Sequence, residues 1–197
     1  MSRRLPIVPT AIVLIAVAVM IALGVWQLGR MQQKEAQLAR FAAAVGDRAE
    51  VPWPDSPSSR EAAAFHRSRI DCRPVGAPMA MSGRNAAGEA GWAHTVSCAL
   101  PGGGRADVVL GWSRDPQPRA WVGGQVAGMI GQGAGDSQRL VADPPLAGLA
   151  ANAMPDPRSV PNNHLSYAVQ WFLFAATALV IYGLALRKRL AGGGQGG

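Results

Sequence analysis

Three groups of residues in this chain carry side chains able to do chemistry. In Asn162-Asn163-His164-Leu165-Ser166-Tyr167 an imidazole stands where a long uncharged stretch begins. That ring has two readings. It can donate a nitrogen to a haem iron, with Trp26, Tyr167, Trp171 and Phe172 supplying an apolar, aromatic lining. Alternatively it anchors, with Asn163 capping a helix and His164 and Tyr167 reaching the polar boundary of a membrane. Residue chemistry alone favours the anchor. The second group is Trp26-Gln27-x-x-Arg30-x-x-x-Lys34. On a helix Arg30 and Lys34 lie on one face at i, i+4. They suit lipid phosphates or, in a sharper reading, porphyrin propionates or an acidic partner.

The third group is Cys72 and Cys98, the only cysteines in the chain. In an oxidising compartment they read first as a disulfide, and otherwise as two buried thiols. A copper site from both sulfurs, His94 and the Met79-x-Met81 pair has suitable soft donors but no compact ligand spacing. Hydrolytic chemistry has no support, since neither a Gly-x-Ser-x-Gly elbow nor a His-Glu-x-x-His motif occurs. His66 and His94 are lone histidines in strand-like segments. No Gly loop followed by Lys and Ser or Thr offers a phosphate cradle. The chain does not read as an enzyme.

The elements that must position these residues are set by an uneven distribution of apolar side chains. Hydrophobic residues make up 49% of the 197 and charged residues 16%, against about 25% charged in ordinary soluble domains. Ile7 to Leu28 and Leu165 to Leu186 are uncharged runs of 22 residues each. As helices each would span about 33 Å, enough for a hydrocarbon core of about 30 Å. Ala16-Val17-Ala18 resembles a small-x-small cleavage site but sits in the middle of the first run, so an uncleaved anchor fits better than a signal peptide.

Charge orients the pair. Arg3, Arg4, Arg187, Lys188 and Arg189 lie on the termini, and all 12 acidic residues lie between the spans with the remaining basic ones. Short basic ends stay in the cytoplasm, whereas long loops cross largely regardless of charge. Both ends are therefore expected inside and the central loop outside. The net charge of +7 comes mostly from those ends. With no basic stripe interleaved with aromatics, nucleic acid is not an expected partner.

Between the spans, Arg30 to Val45 lacks Gly and Pro and places Met31, Leu38, Phe41, Ala42 and Val45 near helical spacing. This predicts that the first span continues as an amphipathic helix, stopped by Gly46 and the VPWPDSP stretch. Short strands are predicted at 65–72, 79–83, 92–100, 106–112, 121–130 and 138–142. Val108, Leu110 and Trp112 are expected on one strand face, and Pro101-Gly102-Gly103-Gly104 as a hairpin turn. Ala134, between two glycines, weakens the end of the fifth strand. Pro144 to Pro161 should return the chain in extended form, and the AGGGQGG terminus reads as a flexible tail. The expected fold class is an α+β membrane protein: a two-helix transmembrane hairpin with an inserted, external, small antiparallel β domain, a sandwich or partial barrel. Its parts are a cytoplasmic N-terminus (1–6), a first span (7–28), a helical extension (29–46), a periplasmic β-rich domain (47–161), an interface motif with the second span (162–186) and a cytoplasmic basic, Gly-rich tail (187–197).

Two stretches carry a family resemblance. LGVWQLGRMQQK (Leu23–Lys34) resembles the first signature of the surfeit locus protein 1 family, cytochrome c oxidase assembly factors, and PNNHLSYAVQWFLFA (Pro161–Ala175) resembles its second. VVLGWSRD (Val108–Asp115) and WVGGQVAGMI (Trp121–Ile130) are similar to two strands between them. Leu110 stands where the family usually has Arg, so no role of that Arg carries over, and the two cysteines are outside the pattern. The resemblance implies a multi-pass protein of the bacterial inner membrane that assists maturation of haem-copper oxidase subunit I at haem a insertion, with membrane lipid around it and haem a synthase as a further partner. It raises His164 to a haem-iron ligand, with Tyr167, Trp171, Trp26 and Arg30 as cofactor-binding residues. Gln27, Lys34, Asn163 and Gln170 are the other signature positions, for partner docking. The rival readings are a haem-free scaffold for an oxidase intermediate and, behind it, a periplasmic copper chaperone.

Overall fold

In the computed structural model of the chain, residues 6–133, 135 and 137–192 are described. The expectations for Arg3, Arg4, Ala134 and the last five residues of the tail lie outside them. The chain divides into two compact units: residues up to Gln37 with those from Pro161 onward, and Leu38–Val160.

The first unit contains most of helix α1 (Ile7–Gly46) and all of helix α3 (His164–Gly192). Both are long and apolar enough to cross a membrane, and only 11% and 6% of their most apolar windows are buried. That exposure is the opposite of a soluble core helix: Ile12, Ile15, Val25, Leu173, Val180 and Leu184 all face outward. Such side chains need a non-aqueous surround.

The second unit holds strands β1 (Glu50–Val51), β2 (Arg67–Arg84), β3 (Ala90–Ala99), β4 (Arg105–Ser113), β5 (Gly124–Gln132) and β6 (Gln138–Ala142), with a short helix α2 (Pro57–Ala63). β2 joins the two segments expected as separate strands, because the ladder runs on through an irregularity between Val75 and Met79. Its first part pairs with β5 and its later part with β3. The pairings β3–β4, β4–β6 and β6–β5 complete the circuit, so five strands close into a barrel with β1 beside the start of β2. Four of the six pairings are antiparallel, while β1–β2 and β4–β6 are parallel. The Pro101–Gly104 turn joins β3 to β4 as expected, with Leu100 N–H donating to Gly104 O at 3.2 Å.

Other local expectations shift. VPWPDSP is more than a helix stop: Ser56 caps α2 in a reciprocal pair with Ser59, and Pro57 takes the first helical position. The fifth strand starts at Gly124 rather than Trp121, since Gly123 sits at φ +96 against the Cys72 carbonyl. Val108 and Leu110 enter the barrel core, but Trp112 packs over Gly91 outside it. The register slips between Thr95↔Val109 and His94↔Gly111, which breaks the two-residue alternation. The returning chain lies alongside the barrel, pairing Ala150 with Trp112 and Asn152 with Asn85.

The barrel interior is filled by Val108, Leu110, Val126, Ile130 and Leu140, each 0–1% exposed. Burying such side chains contributes about 1.5–3 kcal/mol apiece. Cys72 and Cys98 belong to the same cluster and are joined by a disulfide with Cα atoms 5.0 Å apart. A second cluster packs Phe41 and Ala44 of α1 against Ala64, Phe65 and Val160. The Phe41 and Phe65 rings lie 4.9 Å apart. Ala44 takes the contact expected of Ala42 and Val45, which are exposed.

Two predictions follow from this interior. Replacing both cysteines by Ser in the full chain should destabilise the domain by about 3–4 kcal/mol in the chain-entropy account, read as a fall in the domain's urea midpoint. An unchanged midpoint would mean that the disulfide does not constrain the unfolded chain. The second concerns His94, whose side chain is wholly buried. Burial holds its pKa below the usual value of 6.5, and Arg119 adds to the effect. The unfolded state therefore binds the proton more readily, so the contribution is intact above about pH 6.5 and is lost as pH falls below it. Urea unfolding at pH 7.5 and 5.5 should show this loss, and His94→Gln should flatten it.

Candidate functional site

The site is built inside the first unit, where two helices leave one polar contact at the end of an apolar seam. The less exposed positions on α1 include Thr10, Val13, Val17, Met20, Gly24 and Gln27, and those on α3 include His164, Ala168, Trp171, Ala175, Ala178 and Tyr182. Alternating steps of three and four residues mark a narrow contact stripe of the coiled-coil type. Val17, Ala168 and Ala175 are 6%, 1% and 4% exposed. Small residues allow close approach where lipid offers no hydrophobic drive to pair helices. Gly24 makes the tightest fit, since a Cβ there would lie 2.6 Å from Phe172 Cε1. Thr10 and Tyr182 are hydrogen-bonded through their hydroxyls toward the opposite end.

At the end of the seam where α3 begins, His164 Nδ1 and Gln27 Oε1 are 2.8 Å apart. With a carbonyl oxygen as acceptor, Nδ1–H must be the donor. A neutral imidazole then carries its lone pair on Nε2. No hydrogen bond occupies Nε2 among the described residues. The ring is half-buried, and His164, Tyr167 and Trp171 recur at i, i+3, i+7 on one face of α3. A partly shielded imidazole with an oriented ring and one unengaged nitrogen has the donor set an iron-bound macrocycle requires.

The remaining signature residues are placed differently. Asn163 takes the N-cap place of α3 with its carbonyl, which accepts the Tyr167 N–H at 3.3 Å; no cap bond from its side chain is present among the described residues. Gln27, Arg30 and Lys34 share one face of α1 at i, i+3, i+7. Arg30 donates to Gln33 Oε1 at 2.8 Å and Lys34 to Gln37 Oε1 at 2.9 Å. Both cations thus rest on neutral amides, and among the described residues neither is in an ion pair. Trp26, Tyr167 and Gln170 are exposed. Trp171 meets Phe174 edge-on at 6.1 Å, but no ring contact joins it to Trp26 or Tyr167 among the described residues. The aromatic lining expected from sequence is not gathered into one stack.

In the β domain the copper donors are not assembled. The two sulfurs are bonded to each other, His94 Nε2 lies 2.8 Å from Ser113 Oγ, and Met79 and Met81 are exposed. Among the described residues no three His, Cys, Asp or Glu side chains gather as metal ligands. His66 leaves Nδ1 buried without a hydrogen-bond partner among the described residues, beside Arg40 and Glu61 in a small cleft. Two open clefts also lie on this domain. One of about 840 Å³ runs past the Pro101–Gly104 turn, and one of about 460 Å³ is floored by Val109 and Val141.

Two contacts escape a reading of the sequence, the Gln27–His164 bond and Phe172 on Gly24. The available signal is depth, which matches for Gln27 and His164, one residue either side of the outer ends of the two runs, and only roughly for Gly24 and Phe172, four and seven residues in. Filling the Gly24 notch tests the seam. Gly24→Leu should destabilise the hairpin by about 1–3 kcal/mol through overpacking, and the added change Phe172→Ala should recover part of that loss. Thermal unfolding of the four proteins of this cycle in detergent measures the coupling; additive losses would mean that the ring does not pack on Gly24.

The model of the SURF1 family matches residues 14–176, more than four-fifths of the chain, and includes the contact stripe from Val17 to Gln27 on α1 and from His164 to Ala175 on α3 as well as the barrel. No curated protein matches the chain.

Proposed function

We propose that this chain, which belongs to the SURF1 family of cytochrome oxidase assembly factors, delivers haem a to subunit I of a haem-copper oxidase. The family is one of assembly factors rather than catalysts, and its role implies contact with oxidase components. The finer reading rests on one observation: His164 is held through Nδ1 by Gln27 at 2.8 Å while Nε2 is unengaged among the described residues. Haem is cargo here. Bound, it would supply an iron needing an axial nitrogen and two propionates needing cations.

The residues present fit those needs. His164 offers Nε2 to the iron. Arg30 and Lys34 offer positive charge without competing carboxylates among the described residues, and Tyr167 and Trp171 offer flat apolar surface on the His164 face. A single nitrogen ligand at a half-buried position suits capture followed by release. In this reading the two helices span a bacterial inner membrane with both termini cytoplasmic, and Trp26, Tyr167 and Trp171 mark the outer interface. The β domain is then periplasmic, where an oxidising compartment supports the Cys72–Cys98 disulfide. The domain docks the partner, and haem a synthase is the natural donor of the cargo.

The test is the absorption spectrum of the protein purified from membranes of cells that make haem a, beside its His164→Ala variant. A stoichiometric haem spectrum that disappears in the variant is expected. A colourless wild type would overturn carriage and leave a haem-free scaffold. Haem retained unchanged by the variant would remove His164 as the ligand.

A further inference from the structure

We infer that Gln27 is a positioning residue for His164: its side-chain carbonyl fixes the imidazole tautomer and sets how strongly Nε2 donates. This rests on the reading of His164 as an iron ligand. The two residues are 137 positions apart in the chain and stand on different helices. Their bond therefore forms only when α1 and α3 are paired.

The chemistry of the partner matters as much as its position. A ring nitrogen that binds a metal is commonly tuned by the acceptor on its other nitrogen, which fixes the ring orientation and raises the basicity of the ligand. A carboxylate in that place forms a charge-assisted bond about twice as strong as a neutral one. Gln27 supplies a neutral amide oxygen. It orients the ring in the same way but withdraws less of the Nδ1 proton, leaving Nε2 a weaker donor. A weaker donor holds iron less tightly and releases it faster, the property that a carrier needs and a resident haem protein does not. No second acceptor for Nδ1 is present among the described residues. Loss of the amide would free the ring to turn or to change tautomer.

Two variants separate tuning from mere helix packing. Gln27→Leu keeps the approximate volume and removes the acceptor; Gln27→Glu keeps an acceptor and strengthens it. Full-length proteins in detergent would be loaded with haem a, and two quantities read: the reduction midpoint potential and the rate of haem loss to excess apomyoglobin. Gln27→Leu should lose haem about 10–100-fold faster, the range seen when outer partners of ligating histidines are removed. Gln27→Glu should lose it more slowly than wild type and shift the potential to more negative values. If both variants lose haem equally fast with an unchanged potential, Gln27 only packs the helices and the inference fails. It also fails if both match wild type while His164→Ala abolishes binding, although the haem reading then stands. A wild type that takes up no haem removes both.

Discussion

The β domain depends on one strand that serves two partners. β2 runs for 18 residues, long enough to hydrogen-bond to β5 along its first part and to β3 along the rest. Because β2 pairs with both β3 and β5, the five strands close on themselves with only β1 left outside the circuit, and closure requires the strands to tilt and coil. The irregularity between Val75 and Met79, with Gly76 at φ +78, falls in the part paired with β3 and relieves that demand. Closure also fixes what can be inside. Side chains from all five strands converge on one small volume, so Val108, Leu110, Val126, Ile130 and Leu140 exclude water almost completely. The disulfide occupies part of the same volume.

The helical unit obeys a different constraint. In lipid, apolar surface gives no reason for helices to pair, so contact has to come from fit and from polar groups that would otherwise lack partners. Gly24 beneath Phe172 provides the fit. Thr10 with Tyr182 and Gln27 with His164 place polar contacts at the two ends of the seam. The second of these is also where, among the described residues, a nitrogen remains unengaged, so the contact that joins the helices and the candidate site are the same structure. An imidazole held in this way cannot be oriented by either helix alone.

Much of this was legible in the residues. Two uncharged runs of 22 residues announce the helices, and glycine and proline punctuation places most of the strands. The turn at Pro101–Gly104 follows directly from its composition. What could not be read is long-range. Nothing local distinguishes two strands joined end to end from a single strand that changes neighbours, since only the partners β3 and β5 define the change. The parallel pairing of β4 with β6 is invisible for the same reason. Trp112 misled because a slip in register breaks the alternation that sequence reasoning assumes. At the site, His164 stood out because an imidazole beside an apolar run is conspicuous, while Gln27 looked like one amide among several. Its long-range contact is with a residue 137 positions away.

The final turns of α1 have a bearing on where this molecule can be divided. Phe41 and Ala44 are packed with Ala64, Phe65 and Val160, and the boundary between compact units falls between Gln37 and Leu38, inside an unbroken helix. A fragment starting at the first residue after the helix would expose Phe65, whose φ of +65 is an uncommon conformation for a bulky side chain and is held among those neighbours. The part of this protein that folds as a β domain therefore begins with helix. Any water-soluble piece cut from it has to carry about two turns of α1 along, a sequence that on composition alone would be assigned to the membrane anchor's stalk.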